Sequence, residues 1–533
     1  MRIDDLRHIP TGGMLSSDIC IVGSGPAALT IATEFAGTSH EVLVIESGSR
    51  DREDAFAIAQ NRIESVGEPR VLEQQKVRNR ILGGASHTWS GRCTTLDSID
   101  YEPRDWVPFS GWPLDSEDMV PFVHRAAQYL GLLPADYDDA LFKENGLPRR
   151  FDERDGTDVR TVWWQFSRHS AKNTDHMRFG RRFQELEAAN VHLLTHATVT
   201  NIATDEGGSH VRTLEVATPE GILHPIRSRL FILCAGGIEN PRILLASNRI
   251  DPGGVGNRHD LVGRFLMDHP RAVIGTFSPQ VARSLQSEFF LLHHPSGFRM
   301  QRGLSLSLDV QRKEKLLNCA AWITQHFAHD DAWHALRTAR LAKGRRRLAR
   351  VAVRHADQIA NGMWSRYVHR RPLPRRFTGL DLDVLVEQTP DPNSRLTLSD
   401  SKDALGIPIS RIDWKIGDLE RRTVVRLGHA INAALAGARL PQATLVDWVR
   451  DNRPQDAVFR DVAHPLGATR MADSPLHGVV DRNGKVFGID NLYVAGSSVF
   501  PTGGHANPTL MIVALSLRLA ETLARGVLEA AVS

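Results

Sequence analysis

The run DICIVGSGPAALTIATEFAG, Asp18 to Gly37, followed by EVLVIESG, restricts the fold of this chain more than any other stretch. An apolar strand, Ile19 to Val22, feeds a turn carrying Gly23, Gly25 and Ala28 in the spacing G-x-G-x-x-A. A helix follows, then a second apolar strand ending in Glu46. Each residue of that pattern has its own task in an α/β dinucleotide fold. Gly23 permits the tight turn, Gly25 lets a pyrophosphate approach the backbone, Ala28 lets helix and strand pack closely, and Glu46 accepts from ribose hydroxyls. An acid at that place repels a 2′-phosphate and argues against NADP. The three small residues alone would be weak; strand, helix and acid at the right spacing make a Rossmann-like domain the expectation.

A second glycine-rich turn lies near the other end of the chain. YVAGSSVFPTGGHANPTLMIVALSLRLAETL, Tyr493 to Leu523, reads as the end of a strand, a loop, and a helix starting at Pro508 with Asn507 in the capping position. Pro in a first helical turn wastes no donor, and the free amides behind it favour negative charge.

Between these ends stand RILGGASHTWSGRC (Arg80 to Cys93), LFILCAGGIENPRILLAS (Leu230 to Ser247), VGRFLMDHP (Val262 to Pro270) and HPLGATRM (His464 to Met471). Together with the two turns, these segments resemble the flavin-contacting segments of glucose-methanol-choline (GMC) oxidoreductases. The bacterial branch near pyranose oxidase and fructose dehydrogenase is the most similar. The resemblance implies FAD as cofactor and a Rossmann-like FAD-binding domain with an inserted substrate domain on a large antiparallel sheet flanked by helices. The FAD-binding domain is then discontinuous, over 1–110, 190–270 and 455–533, leaving 111–189 and 271–454 to the substrate domain. It further implies cofactor contacts from Gly83, Gly84, Ser86, His87, Ala235, Gly236, Gly496, Ser497, Asn507, Pro508 and Thr509, with the backbone of Val199 at the adenine.

The resemblance implies oxidation of a CH-OH group of a sugar, glycoside or other polyol, with oxygen, a quinone or a protein as electron acceptor. A hydroxyl proton must pass to a base while hydride leaves the carbon, and an imidazole titrates in the right range. His464 stands where the family keeps its catalytic histidine. Asn507 occupies the family's second position; its amide holds an oxygen but takes no proton. His505 sits at a variable place. In SHTW, His87 is displaced by one residue from the site of covalent flavin attachment in related enzymes, so non-covalent FAD is expected. Gly496 replaces an Asp found in many members, and the backbone amides of Gly496 and Ser497 serve instead. The competing readings are a non-redox lyase or decarboxylase on the same scaffold, and a flavin-bearing docking subunit.

At 533 residues the chain exceeds the roughly 250–300 at which single cores stop growing, in keeping with two domains. Its first residues carry acids and no apolar run, no stretch reaches the roughly 20 apolar residues of a membrane span, and four cysteines are too few for a disulfide framework. A cytoplasmic location is the expectation, and no metal-ligand pattern is present. The net charge of +3 hides an asymmetry: 337–376 holds thirteen Lys or Arg against the single acid Asp357. Leu341, Leu348, Ala352 and Ile359 fall at helical spacing there. Such a basic amphipathic helix suits an anionic membrane surface or an acidic partner; the alternative is a solvated helix packed on the substrate domain or another subunit. Nucleic acid is not expected, since aromatic platforms are absent among these arginines. Trp163, Trp164, Gln165 and Phe166 suit stacking on a sugar face and sealing of a domain interface equally.

Overall fold

The computed structural model describes residues 2–71, 73–133, 151, 156–170, 176–293, 297–341, 345–367 and 375–527. Strand Leu15–Val22 pairs in parallel with Val42–Ile45 on one side and Leu223–Leu233 on the other. Ile19 to Val22 and Val42 to Ile45 are all buried, as strands covered on both faces must be. Val191–Thr195 and Arg2–Asp5 extend the sheet in parallel beyond Val42–Ile45, and Leu492–Val494 joins Leu223–Leu233. Helix Thr509–Thr522 packs on helices Pro26–Glu34 and Ser116–Tyr129 over this sheet.

The stretch Val191 to Asp205 reads from sequence as a strand pair, but its two strands do not pair with each other. Val191–Thr195 lies in the parallel part, whereas Thr198–Thr204 forms the far edge of the antiparallel meander with Val211–Ala217 and Leu223–Leu233. His196, at φ 52°, turns the chain between them.

A second sheet is antiparallel and has its own core. Its strands run in the order Arg271–Phe277, Phe377–Val386, Cys319–Phe327, Arg299–Leu306, Val159–Phe166 and the short Arg92–Cys93. The sequence from Asp381 to Asp400 alternates apolar and polar residues and reads as antiparallel strands joined by Pro-Asp-Pro-Asn turn chemistry. The two strands do not pair with each other: Phe377–Val386 stays in this sheet, while Arg395–Lys402 pairs with Pro408–Asp413 in a three-stranded sheet completed by Ile63–Ser65. The Pro-Asp-Pro-Asn turn carries the chain between sheets. The basic stretch also departs from a single helix: it holds helices Ala332–Leu341, Arg345–Arg354 and Ala356–Tyr367, with 342–344 and 368–374 outside the described residues. None of the described helices is long and apolar enough to cross a membrane.

Candidate active site

The two glycine-rich turns open on one cleft of about 390 Å3. Gly23, Gly25, Glu46, Gly84, Ser86, Ala235, Gly236, Gly496, Ser497, Asn507, Pro508, Thr509 and His464 all line it. A smaller cavity shares the walls Gly23, Ser47, Arg80, Ala235 and Glu239 and extends past Val199. The path thus runs from Val199, past both turns, to His464 and Asn507. Ala28 is fully buried on the helix behind the turn, a packing position. Gly83 and His87 lie off the cleft: the exposed His87 ring sets Nε2 2.9 Å from the Leu82 carbonyl, and Thr88 faces the cleft in its place.

The cleft fits a dinucleotide. A Cβ on Gly23, at φ 98°, would come within 2.7 Å of the Cys234 carbonyl oxygen, so the turn admits no side chain. On Gly25 or Gly236 a Cβ would meet nothing within 4 Å, so these glycines leave free space along the cleft wall. Helix Pro26–Glu34 begins after Gly25 with no side-chain cap, leaving its amide end to the cleft. Glu46 is held by the amides of Ser24 at 3.1 Å and Gly48 at 2.8 Å. Burial raises its carboxyl above the usual range.

The second helix begins at Thr509, with Pro508 rather than Asn507 in the cap position and no side-chain cap bond. The capping role expected of Asn507 is therefore not made. Its Oδ1 is buried without a hydrogen-bond partner in the cleft wall, which leaves it to a bound molecule.

His464 is placed by a device that spacing alone did not show. The segments around Met267 and Leu466 bridge through both backbone amides, at 3.0 and 2.9 Å, and this sets His269 beside His464. The two Nδ1 atoms are 3.1 Å apart and the rings nearly perpendicular, at 85°. On its other side, His269 Nε2 lies 3.4 Å from the Gly503 carbonyl. A carbonyl only accepts, so Nε2 of a neutral His269 carries the proton and its Nδ1 accepts from Nδ1–H of His464. Nε2 of His464 is then the unprotonated nitrogen. Asp268 fixes the backbone beneath: its carboxylate accepts from the amides of His269 and His464 and from Arg70 at 2.7 Å. Burial works against that charge, but Arg70 holds the carboxyl below the usual range. Burial, with His269 adding to it, pushes His464 down to about 3. His269 belonged to a recognised motif, and the repeated His-Pro in DHP and HPLG was the available signal.

His505 is 2% exposed, bonds Asn318 and does not line the cleft. Of the aromatic group, Trp163, Trp164 and Gln165 are at most 2% exposed, and Trp164 packs edge-on against Trp322. These side chains seal an interior and offer no sugar platform. The four cysteines are buried and free. No cluster of three metal-ligating side chains occurs among the described residues.

A GMC oxidoreductase family model matches residues 390–516, which include His464 and Asn507, and an FAD binding domain model matches 18–264. The chain thus carries a GMC oxidoreductase C-terminal domain and an FAD-binding domain. It is an FAD-dependent oxidoreductase. The chain is 26% identical over 572 residues to 2-methyl-1,2-propanediol dehydrogenase of Mycolicibacterium austroafricanum, covering 96% of this chain and 95% of that one. It is also 26% identical over 333 residues to the fructose dehydrogenase large subunit of Gluconobacter japonicus, covering 62% of this chain and about half, 53%, of that one. A formate oxidase crystal structure superposes with a TM-score of 0.59 at 19% identity, covering 97% of this chain and 99% of that one, which shows a shared fold.

Proposed function

We propose that the chain oxidises a CH-OH group of a sugar, glycoside or other polyol, with His464 as the base. FAD, when bound in the cleft, supplies the hydride acceptor at its N5. The chain's residues would do the rest. Nε2 of His464 takes the hydroxyl proton, and the side-chain amide of Asn507 holds the reacting oxygen. The His269–Gly503 contact maintains the tautomer that keeps Nε2 free. Removing the proton as hydride departs leaves a carbonyl product, and both events need one fixed geometry, which the Asp268–Arg70 brace under His464 serves. The substrate class is carried from relatives acting, by name, on a diol and on fructose.

The observation that carries this reading is the neutral imidazole of His464 in the same cleft wall as the unpartnered Oδ1 of Asn507. A docking subunit has no use for a histidine held unprotonated. Anaerobic flavin reduction by a panel of polyols tests it. His464→Ala should slow reduction by roughly 100-fold to 10,000-fold without loss of FAD, and unchanged kinetics would overturn the assignment.

A further inference from the structure

Arg92 is the cation at the His464 end of the cleft that nothing above uses. It comes from the short strand Arg92–Cys93, which leads from the cofactor-side segment GGASHTW into the edge of the antiparallel sheet, and its side chain lines the cleft with Trp89, Val462 and His464. Its surroundings hold a guanidinium without neutralising it. The charge centre lies over the rings of Trp322, Trp164 and Phe166, at 4.8, 5.0 and 5.7 Å. Nη2 donates to Oε1 of the buried Gln301 at 2.7 Å, and no carboxylate lies within ion-pair distance among the described residues.

The nearest acid to be considered is already taken. Asp383, 1% exposed, receives Arg271 at 2.8 Å, bonds Thr324, and lies 3.8 Å from Arg460. Asp383 is therefore engaged by two other guanidiniums, and Arg92, which shares the Trp322 ring with Arg271 at 5.1 Å, has no ion pair with it. Burial, with Arg271 adding to it, brings Arg92 down to about 10, so it stays cationic at neutral pH. A partly buried charge facing three aromatic rings and one neutral amide is stabilised only in part. A guanidinium in that state matches an oxyanion, whose two oxygens fit its fork.

We propose that Arg92 is the anion subsite of the substrate pocket, and that the preferred substrate is a hydroxylated oxyanion: a polyol or sugar bearing a carboxylate or a phosphate. This rests on the reading that the chain oxidises CH-OH groups, and it narrows the substrate class. The anionic group seats on Arg92 and the reacting hydroxyl is presented to His464, so the charge anchors the end of the substrate that does not react. Arg92 also lowers the proton affinity of His464, and an arriving oxyanion offsets that effect.

The test compares glucose, glucuronate and glucose 6-phosphate as anaerobic reductants of the holoenzyme, with glycerol and glycerate as a shorter pair. The expected result is a kcat/KM for one of the anions above its neutral partner by roughly 10-fold to 100-fold, carried mainly by KM. Arg92→Gln should collapse that ratio towards one, and Arg92→Lys, which keeps the charge without the fork, should retain part of it. The glucuronate and phosphate arms tell the two oxyanions apart. Titrating glucuronate and inorganic phosphate into the oxidised holoenzyme, with the flavin spectrum as readout, measures binding without turnover and should show an Arg92-dependent Kd. Flavin reduction by neutral polyols with an anion-to-neutral ratio near one, unmoved by Arg92→Gln, would overturn the subsite and leave the oxidation reading standing. Arg92-dependent anion binding with no reduction by any alcohol would do the reverse.

Discussion

A half-buried histidine packed against a buried one behaves differently from one in water, and at the residue scale this sets the pH dependence expected of the site. The folded value of His464 lies at about 3, below the ordinary 6.5. Between those values the unfolded chain binds a proton that the folded chain does not. Its contribution to stability is therefore complete above pH 6.5 and lost as pH falls towards 3. If His464 is the base, as proposed, it is already free at neutral pH, so the rate of flavin reduction should show no limb near 6.5; a limb there would contradict the burial argument. His269 is a positioning residue. His269→Ala should slow reduction and move the acid limb upward, because the neighbouring imidazole helps to depress His464. His269→Gln, which restores an acceptor, should recover part of the rate. Asn507→Ala should slow reduction by roughly 10-fold to 100-fold, the worth of one hydrogen bond to the reacting oxygen. A true N-cap would also lose about 1 kcal/mol. Since Asn507 caps nothing here, thermal unfolding of the apoprotein should stay unchanged.

At the scale of elements, the two glycine-rich turns make separable predictions. Gly25 has extended backbone, φ −77° and ψ −172°, and a Cβ there meets only open space. Gly25→Val should thus fold as apoprotein and fail to retain FAD, read as flavin absorbance per polypeptide. Gly23→Val collides with the Cys234 carbonyl and should cost stability as well. The nucleotide strands, the first turn and the positions of His464 and Asn507 were legible in the sequence, because strand, turn and acid lie within one short stretch and the remaining motifs are local. What was not legible depends on distant pairing. The His269–His464 contact joins residues 195 apart through a two-amide bridge, and Phe377–Val386 and Arg395–Lys402 go to different sheets although the turn between them looks like a hairpin. His87 was misplaced for a local reason: its ring turns back to the Leu82 carbonyl, which motif position does not reveal. In the basic stretch, Arg346, Arg350 and Arg354 are exposed, and Val353 is 79% exposed. We propose that this face meets an anionic membrane surface. Neutralising the three arginines should weaken binding to anionic vesicles at low salt and leave flavin reduction by a soluble substrate unchanged.

For the whole molecule, one sheet holds the cofactor turns and a second, with its own core, supplies Arg92 and the aromatic wall behind it. His464 and Asn507, the proposed catalytic pair, come from loops of the C-terminal part, and helix Thr509–Thr522 ties the last of these back onto Pro26–Glu34. With His87 turned off the cleft, the FAD should be released by acid or heat; flavin remaining on the denatured polypeptide would contradict that placement. The central claim is that this assembly passes hydride from an alcohol carbon to flavin with His464 as base. Its most direct test is the absorbance of oxidised flavin in the purified protein on anaerobic mixing with neutral and acidic polyols. The account predicts bleaching in the wild type that is slowed at least 100-fold in His464→Ala; a flavin that stays oxidised with every polyol, or bleaches equally fast without His464, would contradict it.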